Sequence, residues 1–323
     1  MAKLSAFFLN FCLLLLALGF APITRAETPA QSPHDFALWR RLIHRELDGT
    51  VVGGYGYEIL QHGKVVAAEA KGFARAPWEK VDPSVPFTLD KLAPVASVSK
   101  TITAVALLKL WDEKKVRFSL DDPIGPILSR VAPNANPAAQ RITIRQVLMH
   151  KTGFKAGADV VNRRQLADLL HRPLAYRPGA QFQYQDNNYY LARVILEQLS
   201  GESYPRYVKK HVLEPMGVTH MATRAERRQP MCGYGDTDGP RQQGFAFNWD
   251  CTRWAGGAGW WGSVDELAKF MHGLRERKVL SEKATAMLFD DALGFDWDEP
   301  GFGKGGDWVC PSPTIDGEVH SAV

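Results

Sequence analysis

Ser97-Val98-Ser99-Lys100 places a hydroxyl and an amine three residues apart at the start of an apolar run. On a helix, residues at that spacing share a face, so the Lys100 amine can reach the Ser97 hydroxyl. A serine hydroxyl is a weak nucleophile until an adjacent base takes its proton. A helix N-terminus adds backbone N–H groups and the positive end of a dipole where an oxyanion would form. The pair could therefore make a nucleophile, but by itself the spacing favours a structural reading. The plain alternative is a cap: Ser is favoured at helix N-termini, and Ser-x-x-Lys arises by chance about once in a chain of this length. No Gly-x-Ser-x-Gly elbow is present, and the nine histidines show no HExxH or paired metal spacing, so neither a metal nor another cofactor is expected.

Such a pair has to be held by its surroundings. Ile102, Val105, Leu108 and Trp111 recur at helical spacing after Ser97, and helical patterns dominate to about residue 290. Asn188 to Leu199 reads as a helix stopped by Ser200-Gly201. Ser263-Val264-Asp265-Glu266 reads as a capping box opening a helix that buries Leu267, Phe270, Met271 and Leu274. Upstream, Phe36, Trp39, Ile43 and Leu47 mark an amphipathic helix with Gly49 as its stop. Tyr55 to Gln61 and Lys64 to Ala70 read as strands joined at His62-Gly63 by a tight turn. Strand signal returns only near the C-terminus. Strands at both ends and helices between predict one sheet assembled from both chain ends beside an inserted helical lobe, and no repeat or Pro/Gly/Ser-rich linker divides the chain.

With 45% hydrophobic and 23% charged residues, 28 Gly and 20 Pro, the 323-residue chain is neither disordered nor collagen-like. A net charge of +4, spread without long basic runs, gives no nucleic-acid surface. Lys3, the apolar stretch Ala6 to Phe20 broken by Asn10, and Thr24-Arg25-Ala26 read as a secretory signal peptide over residues 1–26. A membrane anchor is the alternative, but a bilayer crossing wants roughly 20 apolar residues. The expected product is one domain over 27–323, periplasmic or secreted, with a sheet lobe about 27–96 and 300–323 and a helical lobe about 97–299. Three cysteines then remain. Cys232 and Cys251 flank one Gly-rich aromatic segment and are the expected bridge, leaving Cys310 as a buried thiol.

Ala93-Pro94-Val95-Ala96-Ser97-Val98-Ser99-Lys100-Thr101, then Phe118-Ser119-Leu120-Asp121-Asp122-Pro123, then Ile142-Thr143-Ile144-Arg145-Gln146-Val147-Leu148-Met149-His150-Lys151-Thr152-Gly153 follow one another in a particular order and spacing. That order resembles the serine β-lactamase-related hydrolases, which include AmpC-type β-lactamases, D-alanyl-D-alanine carboxypeptidases and β-lactamase-fold esterases. Tyr184-Gln185-Asp186-Asn187-Asn188-Tyr189-Tyr190-Leu191 and Leu213-Glu214-Pro215-Met216-Gly217 look like that family's Tyr-x-Asn segment and the turn after its next helix. The resemblance covers roughly residues 50 to 310. It implies an α/β (α+β) fold of the β-lactamase/transpeptidase type, its antiparallel sheet built from both chain ends with a large helical lobe inserted. It implies Ser97 as the acylated nucleophile, Lys100 as its proton-relay partner and Tyr184 as the general base. A phenol of pKa near 10 works at neutral pH only if a cation stabilises the phenolate, which the Lys100 ammonium could do.

Asp186 stands where the family usually has Asn. A carboxylate there would pair with Lys100, hold it protonated and offer a substrate amide carbonyl an acceptor in place of a donor. The family's third motif, Lys or His followed by x-Gly on an edge strand, has two candidates. Lys151-Thr152-Gly153 matches the letters but lies in what resembles the turn after the Leu-x-x-His helix end. Lys304-Gly305-Gly306, beside Asp307-Trp308-Val309, is the better placed. Lys304 and Gly306 would then line the cleft, Lys304 holding a substrate carboxylate, while the backbone N–H near Asp307 joins that of Ser97 in the oxyanion hole; the alternative is a solvated lysine in a Gly-rich turn. Trp260-Trp261 reads as lobe packing, with a cleft wall as alternative, and His150 as a structural turn residue. The family usually continues through two more strands and a helix, so an ending at Val323 looks truncated. The function implied is a secreted serine hydrolase acting on a β-lactam, a D-alanyl peptide or a small ester, its partner a small or peptidoglycan-derived substrate. The alternative is a catalytically impaired relative that binds peptidoglycan-like or acyl-amide ligands. One serine, base and oxyanion hole serve all three substrates, so the pocket walls decide among them.

Overall fold

The computed structural model describes residues 36–48, 53–75, 84–157, 159–224, 232–233, 245–246, 250–294, 308–310 and 320–322. By proximity the chain falls into two units, one of Met1–Tyr55, Ala70–Phe87 and Cys232–Ala246, the other of Gly56–Glu69, Thr88–Met231 and Phe247–Val323. The N-terminal periodicity forms α1 (Phe36–Leu47). The expected strands form β1 (Gly54–Gln61) and β2 (Lys64–Arg75) around a turn in which His62 (φ 50°) and Gly63 (φ 72°) are both left-handed, as a tight hairpin with right-twisted strands requires. β2 runs past Ala70 to Arg75, where β3 (Val85–Pro86) pairs antiparallel to it, Phe73 opposite Pro86 and Arg75 opposite Val85. In the first unit Asp48, just past α1, accepts from Lys71 Nζ at 2.6 Å and Tyr55 Oη at 2.8 Å. These two hydrogen bonds hold its carboxyl below the usual carboxylate range.

The second unit holds the helical lobe. β4 (Ala93–Pro94) leads into α2 (Val98–Asp112), followed by α3 (Ile124–Leu128), α4 (Pro137–Gln140), α5 (Ile144–Leu148), α6 (Arg163–His171), α7 (Asp186–Ser200) and α8 (Tyr204–Val208). A π turn (Lys209–Leu213) and a 3-10 turn (Glu214–Met216) follow α8. In the first unit β5 (Cys232–Gly233) pairs with β6 (Phe245–Ala246), and the second resumes with β7 (Trp261–Gly262), α9 (Val264–Arg275) and α10 (Glu282–Asp290). Ile102, Val105 and Leu108 are fully buried as their spacing requires, but so are Ala104, Ala106 and Leu107. α2 is therefore a central helix with no solvent face for most of its length, packed on α7, α8 and α10. Each fully buried Leu, Ile or Val on it contributes about 1.5–3 kcal/mol of transfer free energy. α7 ends where Ser200-Gly201 predicts, with Gly201 left-handed at φ 72°.

The class expected from the sequence, mixed α/β with antiparallel pairing, is the one observed. Among the described residues the C-terminal strands β8 (Trp308–Cys310) and β9 (His320–Ala322) pair with each other, in a sheet separate from β1-β2-β3. Ser263 makes half of the expected capping box, its Oγ accepting from Glu266 N at 3.2 Å. The Glu266 carboxylate does not return to the cap. It is 1% exposed and accepts from the backbone N–H groups of His220 (2.9 Å), Met221 (3.0 Å) and Thr219 (3.4 Å). A carboxylate prefers three convergent donors elsewhere in the fold to one at its own helix start. Glu266→Ala leaves those donors unmatched, so we expect it to cost roughly 2–4 kcal/mol. An unchanged urea midpoint would contradict this role. A complete capping box occurs instead at Thr143 and Gln146, opening α5. The expected Cys232–Cys251 bridge is not formed: Cys251 is a free thiol, its pKa pushed up by burial. Spacing on either side of a segment does not bring two Cα atoms within bridging range. Among the described residues no helix is long and apolar enough to cross a membrane.

Candidate active site

β4 and β7 pair antiparallel, Ala93 opposite Gly262 and Pro94 opposite Trp261, and Val95 N continues the ladder to Trp260 O at 3.0 Å. The chain then turns sharply at Ala96, which has φ 44°, a conformation costly for any residue with a Cβ. That turn delivers Ser97 to the start of α2. Ser97 makes no capping hydrogen bond, so the cap alternative falls away; its hydroxyl meets Lys100 and Tyr184 instead.

Lys100 is fully buried and directs Nζ to three acceptors: Ser97 Oγ at 3.0 Å, Gly257 O at 2.9 Å and the Asp186 carboxylate. Three acceptors match the three protons of an ammonium. Ser97 Oγ also lies 2.7 Å from Tyr184 Oη. Oγ accepts from Lys100 and keeps its own hydrogen and a second lone pair, so either hydroxyl can donate across the Ser97–Tyr184 contact. The ammonium sits 4.7 Å from the Tyr184 ring centroid and 5.8 Å from that of Tyr189. Asp186 opens α7, and its side chain is 44% exposed beside the buried Lys100. Asp159 lies close enough to feel both. Burial first, and the Asp186 carboxylate second, push its carboxyl above the usual range, against the pull of Lys100.

The Gly256-Gly257-Ala258-Gly259 run carries the Gly257 carbonyl to Lys100. A Cβ on Gly256 would stand 2.3 Å from Tyr189 O, so only glycine allows that approach to α7. The run is anchored by buried hydrogen bonds. Thr103 Oγ1 reaches Gly256 O at 2.7 Å, Tyr204 Oη lies 2.6 Å from Thr103 Oγ1 and accepts from Trp260 Nε1 at 3.1 Å, and Trp260 N donates to Ser99 Oγ at 3.2 Å. Burial raises the Tyr204 phenol to about 12, so it stays a donor.

Of the residues expected in the site, Ser97, Lys100, Tyr184 and Asp186 meet in one cluster. Lys304, Gly306 and Asp307 lie outside the described residues, as does the signal segment. Lys151-Thr152-Gly153 sits in the loop after α5, where Thr152 Oγ1 donates to Asn188 Oδ1 at 2.8 Å, and belongs to no strand. Trp260 and Trp261 are fully buried packing residues. The Gly257 carbonyl was signalled only by the glycine run. His150 is the structural turn residue expected, with φ 56°, and its ring centroid also lies 4.6 Å from that of Tyr184.

A mixed α/β chain with Ser-x-x-Lys opening a buried helix and a tyrosine facing the serine has the architecture of the serine β-lactamase and penicillin-binding fold. The chain belongs to the Beta-lactamase family, whose model matches residues 39–313. A Bacillus subtilis (strain 168) protein named for penicillin binding, PbpX, is 26% identical over 239 residues, 72% of this chain and 57% of its own length. Protein flp of Staphylococcus aureus (strain NCTC 8325 / PS 47) is 27% identical over 205 residues, 60% of this chain and 40% of its own. The chain thus spans about half the length of these relatives. Among solved structures, an octameric penicillin-binding protein homologue from Pyrococcus abyssi superposes with a TM-score of 0.69 at 23% identity, covering 90% of this chain and 68% of that one. EstCE1, a hydrolase with promiscuous acyltransferase activity, superposes at 0.67 and 21%, covering 87% and 85%. Members of this family are generally serine hydrolases.

Proposed function

We propose that this chain is a serine acyl hydrolase that forms an acyl-enzyme at Ser97 and acts on small esters in preference to β-lactams. The observation that carries the reading is the geometry at Ser97, whose Oγ accepts from Lys100 Nζ at 3.0 Å and stands 2.7 Å from Tyr184 Oη, within reach of the hydroxyl proton. Tyr184, as phenolate, takes that proton while Oγ bonds to the acyl carbon. Tyr184 then returns the proton to the leaving oxygen or nitrogen as its bond to the acyl carbon breaks. In the second half water gives a proton to Tyr184 and its hydroxyl to the acyl carbon, the bond between Oγ and the acyl carbon breaks, and Tyr184 returns the proton to Ser97 Oγ. Lys100, held as ammonium, stabilises the phenolate electrostatically, so it supports the base without being the base. Lys304 would hold a substrate carboxylate beside Gly306, with the N–H near Asp307 joining that of Ser97 in the oxyanion hole, in a chain exported through residues 1–26 to the periplasm or beyond. Covalent labelling of the full chain by a fluorophosphonate tests the acyl-enzyme, and failure to label would remove it.

Asp186 favours esters. Where an amide substrate needs a donor for its side-chain carbonyl, a carboxylate offers only acceptors, whereas esters need less recognition and carry better leaving groups. Asp186→Asn should shift the ratio of cephalosporin to aryl-ester kcat/KM by about tenfold toward the lactam, the worth of one hydrogen bond of roughly 1–2 kcal/mol. An unchanged ratio would confine Asp186 to its pairing with Lys100. That pairing also supports a second reading, a catalytically impaired relative that binds peptidoglycan-like or acyl-amide ligands, because Asp186 draws on the same ammonium that Tyr184 needs. It predicts penicillin binding without turnover.

A further inference from the structure

We infer that His150 is the positioning residue for Tyr184, an assignment that rests on reading Tyr184 as the base of Ser97. Tyr184 belongs to no helix or strand and is 39% exposed, so its own packing does not fix it. His150, fully buried at the end of α5, grips the backbone on both sides of it. Gln183 N donates to His150 O at 2.8 Å, and Gln185 N donates to His150 Nδ1 at 3.2 Å. Between those two bonds the imidazole lies against the phenol ring, 4.6 Å between centroids and tilted by 41°.

The orientation of the imidazole follows from its partners. A backbone N–H can only donate, so Nδ1 is the unprotonated nitrogen and the ring hydrogen is on Nε2. Asn188 Nδ2 gives Nδ1 a second donor at 3.0 Å, and Thr152 Oγ1, donating to Asn188 Oδ1 at 2.8 Å, sets that amide the right way round. On its other sides the ring meets Tyr189 at 5.1 Å and Phe182 at 5.7 Å. His150 holds φ at 56°, a left-handed geometry that turns its carbonyl and its ring toward the same three-residue segment. The result is a splint on residues 183–185 that sets how far Tyr184 Oη stands from Ser97 Oγ.

The test is the rate of fluorophosphonate labelling and the turnover of an aryl ester by the full chain. An error of about 1 Å at a reacting atom costs on the order of 100-fold, so His150→Ala should label about 100-fold more slowly and lower kcat with KM little changed. His150→Asn should recover roughly tenfold of this, because its Oδ1 can replace Nδ1 and Asn tolerates the left-handed backbone, while the ring contact stays lost. In a Tyr184→Phe background His150→Asn should have no further effect, since a residue acting through Tyr184 has nothing left to position. Should the alanine variant fail to fold, the asparagine variant and this background comparison decide. Labelling of either variant at the parent's rate, or a His150→Asn loss that adds to that of Tyr184→Phe, would overturn the assignment while leaving Ser97 as nucleophile. A parent chain that does not label overturns both.

Discussion

Ser97→Ala should abolish fluorophosphonate labelling and lower ester turnover by at least about 10⁴-fold, with the fold intact. The catalytic half follows from chemistry: Ser97 Oγ lies within hydrogen-bond reach of both Lys100 Nζ and Tyr184 Oη, and its removal takes away the oxygen that would attack. The stability half follows from structure. Ser97 makes no cap bond, but it accepts from the buried Lys100 ammonium, and leaving that donor unmatched should cost about 1–3 kcal/mol without unfolding the chain. Residual turnover in the mutant at a few per cent of the parent would place the nucleophile elsewhere.

Tyr184→Phe is expected to slow acylation by roughly 10²- to 10⁴-fold, the range for losing a positioned general base. The substitution keeps the ring, and with it the contacts to the Lys100 ammonium and the His150 imidazole, so the loss isolates the oxygen 2.7 Å from Ser97. The exposure of Tyr184 makes the fold insensitive to the change. kcat/KM for an aryl ester across pH is the measurement: the limb that rises as the base loses its proton should disappear. Activity within threefold of the parent would hand the proton to Lys100 and require Asp186 to release it.

The contrast among Ser97, Glu266 and Cys251 shows how far local pattern reaches. Serine three residues before lysine at the head of an apolar run determined that a hydroxyl and an amine would share a helix face, because helical geometry relates residues within a turn without reference to anything else. The same locality made the hairpin at His62-Gly63 and the stop at Gly201 legible. Glu266 carried an equally good local signal and was drawn away by three backbone donors more than forty positions earlier in the chain. Cys232 and Cys251 were paired by spacing, and spacing carries no information on the direction of a Cβ. The spacing of Ile102, Val105, Leu108 and Trp111 located α2 but not its full burial, because a 3.6-residue period marks one face that must be buried and is silent about the face that other helices go on to cover.

The active site divides along the same line. Its serine and lysine came from four consecutive residues, while Tyr184 entered through a resemblance, since one tyrosine in a polar stretch has no local mark of a base. The tertiary structure decided that Tyr184 meets Ser97 across 87 positions, that Gly257 meets Lys100 across 157, and that the His150 ring lies against Tyr184. Such contacts depend on how α2, α5 and α7 pack and on where the glycine run can pass, and packing is settled by the whole set of side-chain volumes at once rather than by any window of the chain.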